Sequence, residues 1–275
     1  MTELNLDKYN IIDFHTHPFK TDETNICSHI PYCHMSMENT VRDLKSMGVK
    51  KICGSVVKGF ERSKGEPTWD DMKALNDEAL FLRDYYKGYY VPGFHVHPFF
   101  VKESIAEIER MHKLGVNLIG ELVHYMHGWS DYSDKRLWEI LEAAEHYKMI
   151  LSFHADSGAD ETLANQMDEM VKRFQNLVIV GAHPCDRTTF EHHLKRFDSN
   201  PNYMVDVSGG GIFRHGLLRH LIDYCGKEKV LYGSDYPTCN PAMFIGGVAL
   251  DFLITEEEKE YVFHKNAERI LGIKA

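Results

Sequence analysis

His15 and His17 stand one residue apart in Asp13-Phe14-His15-Thr16-His17-Pro18. In extended chain that spacing turns both imidazoles to one face, where two ring nitrogens can hold one cation. Four more chemically capable residues each follow a short apolar run: Glu121 after Leu118-Ile119-Gly120, His154 after Leu151-Ser152-Phe153, His183 after Val180-Gly181-Ala182, and Asp235 after Leu231-Tyr232-Gly233-Ser234. Carboxylates and imidazoles at the end of a buried run need a compensating partner, and a divalent metal is one. Any one of them alone reads equally well as a hydrogen-bonded strand end; together with the H-x-H pair they point to a metal centre that activates water.

Other candidates surround this set. His95 and His97 repeat the H-x-H spacing, so spacing alone does not choose between the pairs; they read as substrate contacts or as plain structure. His124, Tyr125, His127 and Trp129 form a polar aromatic group that could line a pocket or pack as a surface loop. Arg187 and Arg214 could grip a substrate carboxylate or phosphate as a fork, or simply be solvated charges at helix starts.

The elements that must position these residues alternate along the chain. Apolar runs at Asn10–Phe14, Lys51–Val57, Tyr90–Phe94, Asn117–Leu122, Met149–Phe153, Leu177–Ala182, Asn202–Val207 and Lys229–Gly233 read as strands. Helical spacing fills the gaps, as in Trp69–Tyr86, where Met72, Leu75, Ala79, Leu82 and Tyr86 fall on one face. Helices are also expected at Met37–Met47, Lys102–Leu114, Ser133–Tyr147, Glu161–Phe174, Thr188–Phe197, Leu217–Cys225 and Glu256–Leu271. The α/β pattern predicts a single (β/α)8 TIM barrel over residues 1–275, with an open doubly wound sheet as the alternative. In either, the active site belongs at the C-terminal ends of the strands, where the candidate residues stand. The long connections Phe19–Ser36 and Lys58–Thr68 would overhang that face and set specificity.

Composition narrows the functional classes. The 275 residues are 43% hydrophobic, enough for a sizeable core, and carry a net charge of −10, which argues against nucleic acid or an anionic membrane as partner. No apolar stretch approaches the roughly 20 residues of a membrane span. The six cysteines form no C-x-x-C pair, and nothing at the N-terminus reads as a signal segment, so the expected setting is cytoplasmic, with a small-molecule substrate and room for a homo-oligomer. The 17 histidines include no run longer than the pair His192-His193 and so are no tag.

The D-x-H-x-H of the first run, the single histidines after runs five and six, the Gly233-Ser234-Asp235-Tyr236-Pro237 after run eight and the closing Asn266-Ala267-Glu268-Arg269-Ile270-Leu271-Gly272 resemble the amidohydrolase superfamily. The likeness is to its amidohydrolase-related branch, which includes aminocarboxymuconate-semialdehyde decarboxylase and various metal-dependent hydrolases, and it spans Ile12 to Gly272. It implies a barrel with one or two divalent ions, zinc expected, at its mouth. It also implies His15, His17, His154 and Asp235 as ligands of one ion, and His183 as ligand of a second or as general acid/base. Asp235 would hold and deprotonate the attacking water. No lysine stands at the end of run four to form a carbamate bridge; Glu121 is there instead, as in the metal-dependent deoxyribonuclease relatives, where such a glutamate can bridge two metals. The expected reaction is metal-dependent hydrolysis of a small ester, lactone, amide or phosphoester. The alternatives are non-oxidative decarboxylation of a small unsaturated or aromatic carboxylate, with Arg187 or Arg214 binding the carboxylate, and a non-catalytic metal-binding barrel.

Overall fold

A computed structural model of the chain describes residues 6–30, 36–59, 67–158, 160–184, 187–210 and 212–275, apart from the side chains at 7, 187 and 188. Its eight strands are β1 (Ile11–Asp13), β2 (Val49–Gly54), β3 (Tyr90–Phe94), β4 (Leu118–Leu122), β5 (Ile150–His154), β6 (Val178–Ala182), β7 (Tyr203–Asp206) and β8 (Val230–Leu231). They pair in chain order and in parallel, with helices between them, an arrangement consistent with a (β/α)8 barrel. Beyond the ends of β1 and β8 the chain continues the contact: Phe14 N donates to Tyr232 O at 2.9 Å, Asp235 N to His15 O at 2.8 Å and His17 N to Tyr236 O at 2.6 Å.

The period of two along each strand separates two apolar cores. Ile12, Cys53, Leu118, Ile150, Val180, Met204 and Leu231, one from each of seven strands, form one cluster, which Ala267 and Leu271 join from the C-terminal helix. Their chain neighbours Ile11, Ile52, Ile119, Leu151, Ile179, Val205 and Val230 belong to the other cluster, shared with the helices. The expected strands are thus all present, although β1 and β8 are shorter than the apolar runs that announced them.

Helices α1 (Met37–Ser46), α2 (Trp69–Tyr85), α3 (Val101–Lys113), α4 (Lys135–His146), α5 (Glu161–Arg173), α6 (Arg187–Ser199) and α7 (Leu217–Cys225) stand where the periodicity places them. Their starts have local causes. At α2, for example, Thr68 accepts from Asp71 N while the Asp71 carboxylate accepts from Thr68 N at 2.8 Å, a reciprocal cap. Two features depart from the sequence reading. A further helix, α8 (Pro241–Ala249), follows β8, and the expected C-terminal helix is divided into α9 (Glu256–Glu260), a π turn (Tyr261–Lys265) and α10 (Asn266–Leu271). The π turn has a clear use: Val262 O accepts from Tyr232 N at 2.8 Å and so holds the end of β8.

Candidate metal centre

At the end of β1, the buried Asp13 carboxylate accepts from His15 N at 3.3 Å and from Ser234 N at 2.9 Å, drawing the segments after β1 and β8 together. Gly233 permits the approach, since a Cβ there would lie 2.7 Å from His15 Cβ. His183 and Asp235, just beyond β6 and β8, both adopt positive φ, 61° and 60°, a conformation costly for residues with a Cβ and concentrated at functional sites.

Four donor atoms converge from three segments. His15 Nε2 lies 3.2 Å from His17 Nε2, 3.3 Å from Glu121 Oε2 and 3.6 Å from Asp235 Oδ1. His17 Nε2 lies 3.3 Å from Glu121 Oε2 and 3.4 Å from Asp235 Oδ1. These separations match the edge of about 3.4 Å for a tetrahedron of ligands on bonds of about 2.0–2.1 Å, so the residues fit a divalent ion. The outer nitrogens of both rings are held: His17 Nδ1 faces Ser55 O at 3.1 Å, and His15 Nδ1 faces Asp206 Oδ2 at 3.1 Å. The other oxygen of Glu121 faces His154 Nδ1 at 3.1 Å and His183 Nε2 at 3.3 Å.

Electrostatics bind the cluster internally. Burial would lower the pKa of His15 and His17, but Asp206 and Glu121 push His15 well up, while Asp235 and Glu121 push His17 to about 9. Glu121 is held well below its ordinary range: burial opposes this, and His15, His154 and His17 outweigh it. Asp235 is lowered for the same kind of reason, by His17, His183 and His15 against burial. His183 is raised, chiefly by Glu121 against burial. Protons and a cation therefore serve the same buried carboxylates, and an ion would displace the protons.

The cluster opens into a cavity of about 370 Å³ lined by Ile26, Ile30, Val123, Tyr125 and Met126, with His29, His154 and Thr238 at its polar edges. Tyr125 packs edge-on against His154, ring centroids 5.2 Å apart. No lysine or arginine lines it among the described residues.

The sequence candidates divide accordingly. His15, His17, Glu121, His183 and Asp235 come together, and His154, expected as a ligand of the same ion as His15, faces the other oxygen of Glu121. His95 and His97 do not line this cavity. Both are fully buried, with His95 Nε2 at 2.7 Å from Val56 O and His97 Nε2 at 2.9 Å from His127 O, so neighbouring carbonyls hold these rings away from the cavity. His124 likewise sits behind the wall, boxed by Tyr125, Trp129 and Tyr132. Arg214 lines a different hollow, with Phe213, Gly247 and Phe252. The side chain of Arg187, and the loop residues Cys33, His34, Arg62, Lys64, Glu66 and Cys185, lie outside the described residues. Asp206 and Ser208 went unnoticed in the sequence. Asp206 carries the same mark as the others, a carboxylate closing the run Tyr203-Met204-Val205; Ser208 carries none.

The sequence profile of the amidohydrolase family matches residues 12–273. The chain belongs to the amidohydrolase family. No curated protein sequence matches it. Among solved structures, this amidohydrolase is similar to 5-carboxyvanillate decarboxylase from Novosphingobium aromaticivorans complexed with manganese and 4-hydroxy-3-methoxy-5-nitrobenzoic acid, at 13% identity, TM-score 0.73, over 99% of this chain and 100% of that one. It is also similar to 5-carboxyvanillate decarboxylase from Sphingomonas paucimobilis, at 18% identity, TM-score 0.67, over 96% and 99%. A third is 2,6-dihydroxybenzoate decarboxylase from Rhizobium, at 12% identity, TM-score 0.70, over 96% and 99%. At these identities the likeness establishes the fold.

Proposed function

We propose that this amidohydrolase is a metal-dependent, non-oxidative decarboxylase of a small aromatic or unsaturated carboxylate, with its active site at the C-terminal ends of the strands of a single barrel. The observation that carries the reading is the small, largely apolar cavity standing directly on the histidine and carboxylate cluster, a size and lining that suit an aromatic ring. The decarboxylase neighbours support it over the hydrolysis expected from sequence.

His15, His17, Glu121 and Asp235 would hold the ion, and two imidazoles with two carboxylates suit manganese or zinc. A bound divalent ion supplies Lewis-acid polarisation of the substrate's oxygens. Ile26, Ile30, Val123 and Met126 would hold the ring and exclude water, with Tyr125 as an aromatic wall. Decarboxylation breaks the bond between the ring carbon and the carboxyl carbon, releases carbon dioxide and leaves an electron pair that must take up a proton. Asp235 would be engaged with the ion, so His183, which lines the cavity with its Nε2 3.3 Å from Glu121, is assigned as the proton donor. The test is carbon dioxide release from 5-carboxyvanillate, 2,6-dihydroxybenzoate and related hydroxybenzoates by protein loaded with manganese or zinc. Release is the expected result; inertness toward these acids, with turnover of esters, lactones or amides, would return the assignment to hydrolysis.

A further inference from the structure

The end of β7 turns through Asp206, Val207 and Ser208, and the Ser208 hydroxyl occupies a position between three members of the cluster. It makes a short hydrogen bond to Asp206 Oδ1 and lies 3.0 Å from His15 Nδ1 and 3.0 Å from His183 Nδ1. The same Asp206 Oδ1 accepts from Ser208 N at 3.0 Å, which fixes the hydroxyl in place. Ser208 and Asp206 are both fully buried, so water does not compete for these bonds.

A hydroxyl has one proton and two lone pairs, and a carboxylate oxygen can only accept. The Ser208 proton therefore goes to Asp206, and toward both imidazoles the hydroxyl oxygen can only accept. Each ring must then present an N–H at Nδ1. His15 Nδ1–H is shared with Asp206 Oδ2 at 3.1 Å, which demands the same tautomer. The backbone enforces the contact to His183: Gly209 follows at φ 58°, and a Cβ there would collide with the His183 ring.

We propose that Ser208 is a positioning residue that fixes both His15 and His183 with the proton on Nδ1, dedicating Nε2 of His15 to the metal ion and Nε2 of His183 to proton exchange with the substrate. One hydroxyl thereby decides which nitrogen of each ring carries the proton. The inference depends on the cluster being a metal centre but is independent of whether that centre decarboxylates or hydrolyses.

Two measurements on the full-length protein test it, and neither involves turnover. Long-range proton–nitrogen NMR correlation of the zinc-loaded protein, at alkaline pH where His183 is neutral, should show a protonated Nδ1 on both rings; a proton on Nε2 of either ring overturns the proposal. Manganese binding, followed by the EPR signal of the free ion, should weaken about 10–100-fold in Ser208→Ala. Ser208→Thr, which keeps the acceptor, should bind close to the unaltered protein, and Ser208→Cys, which keeps the volume with a poor acceptor, should resemble the alanine variant. Unweakened binding in Ser208→Ala, or Ser208→Cys that binds like serine, overturns it. If Ser208→Ala fails to fold, the NMR of the unaltered protein decides alone.

Discussion

Asp235 combines three properties rarely found in one side chain: near-complete burial, a left-handed backbone and contact with two imidazoles. Asp235→Asn keeps its size but removes the charge that faces His15 and His17 and that would help hold an ion. Activity should fall by at least about 10²-fold, with an unchanged circular dichroism spectrum; retained turnover would remove Asp235 from the centre. His95 behaves in the opposite sense to the cluster histidines. Burial pushes its pKa down to about 4, against the Val56 carbonyl that opposes the shift. The folded protein keeps it neutral while the unfolded chain takes up a proton below about pH 6.5, so its contribution is complete above that pH and is lost progressively toward pH 4. The full loss is on the order of 3 kcal/mol. His95→Gln, whose amide can still reach Val56 O, should show a flatter fall in melting temperature between pH 7 and pH 4.5 than the unaltered protein; parallel curves would contradict the assignment.

At the scale of elements, the sequence spoke clearly wherever one face of a segment is apolar and the other is not. Runs such as Val178–Ala182 and stripes such as Met72, Leu75, Ala79 and Leu82 declared their strands and helices because burial is periodic there. Helix α8 was invisible for a physical reason: Pro-Ala-Met-Phe-Ile-Gly-Gly-Val-Ala is apolar all round and carries two adjacent glycines, so it has neither a period nor good propensity. The π turn was hidden because one inserted residue leaves a helical stripe nearly intact. The cluster was legible through the H-x-H pair and through Glu121, His183 and Asp235, each of which follows an apolar run. The second H-x-H pair stayed ambiguous because spacing reports which face a ring takes, and says nothing of the carbonyls it meets there. The C-terminal segment offers a test of its own. Thr255 accepts from Glu258 N at 3.2 Å, and the Glu258 carboxylate, which accepts from Thr255 N at 2.7 Å, also binds Arg219 at 2.8 Å. Thr255→Ala should cost about 1 kcal/mol, seen as a lower urea midpoint at unchanged slope; a changed slope would mean that the cap affects more than this helix start.

For the whole molecule, the cluster concentrates buried charge that folding alone compensates poorly. Chelation should therefore lower the melting temperature, and adding back manganese or zinc at about 100 times its dissociation constant should restore about 2.7 kcal/mol. A melting temperature indifferent to chelation would argue against a site that binds in the folded state. No helix among the described residues is long and apolar enough to cross a membrane. The hydrogen bonds that join the segments after β1 and β8 bear on how the chain matures. Asp13 and Ser234 are 221 positions apart in sequence, yet their bond sets His15 beside Asp235. Chains are made from the N-terminus, and contacts this distant form late. A nascent chain carries His15 and His17 from the start but can assemble the cluster only once residues near 236 have emerged, so an ion that needs the whole cluster would be captured at the end of folding.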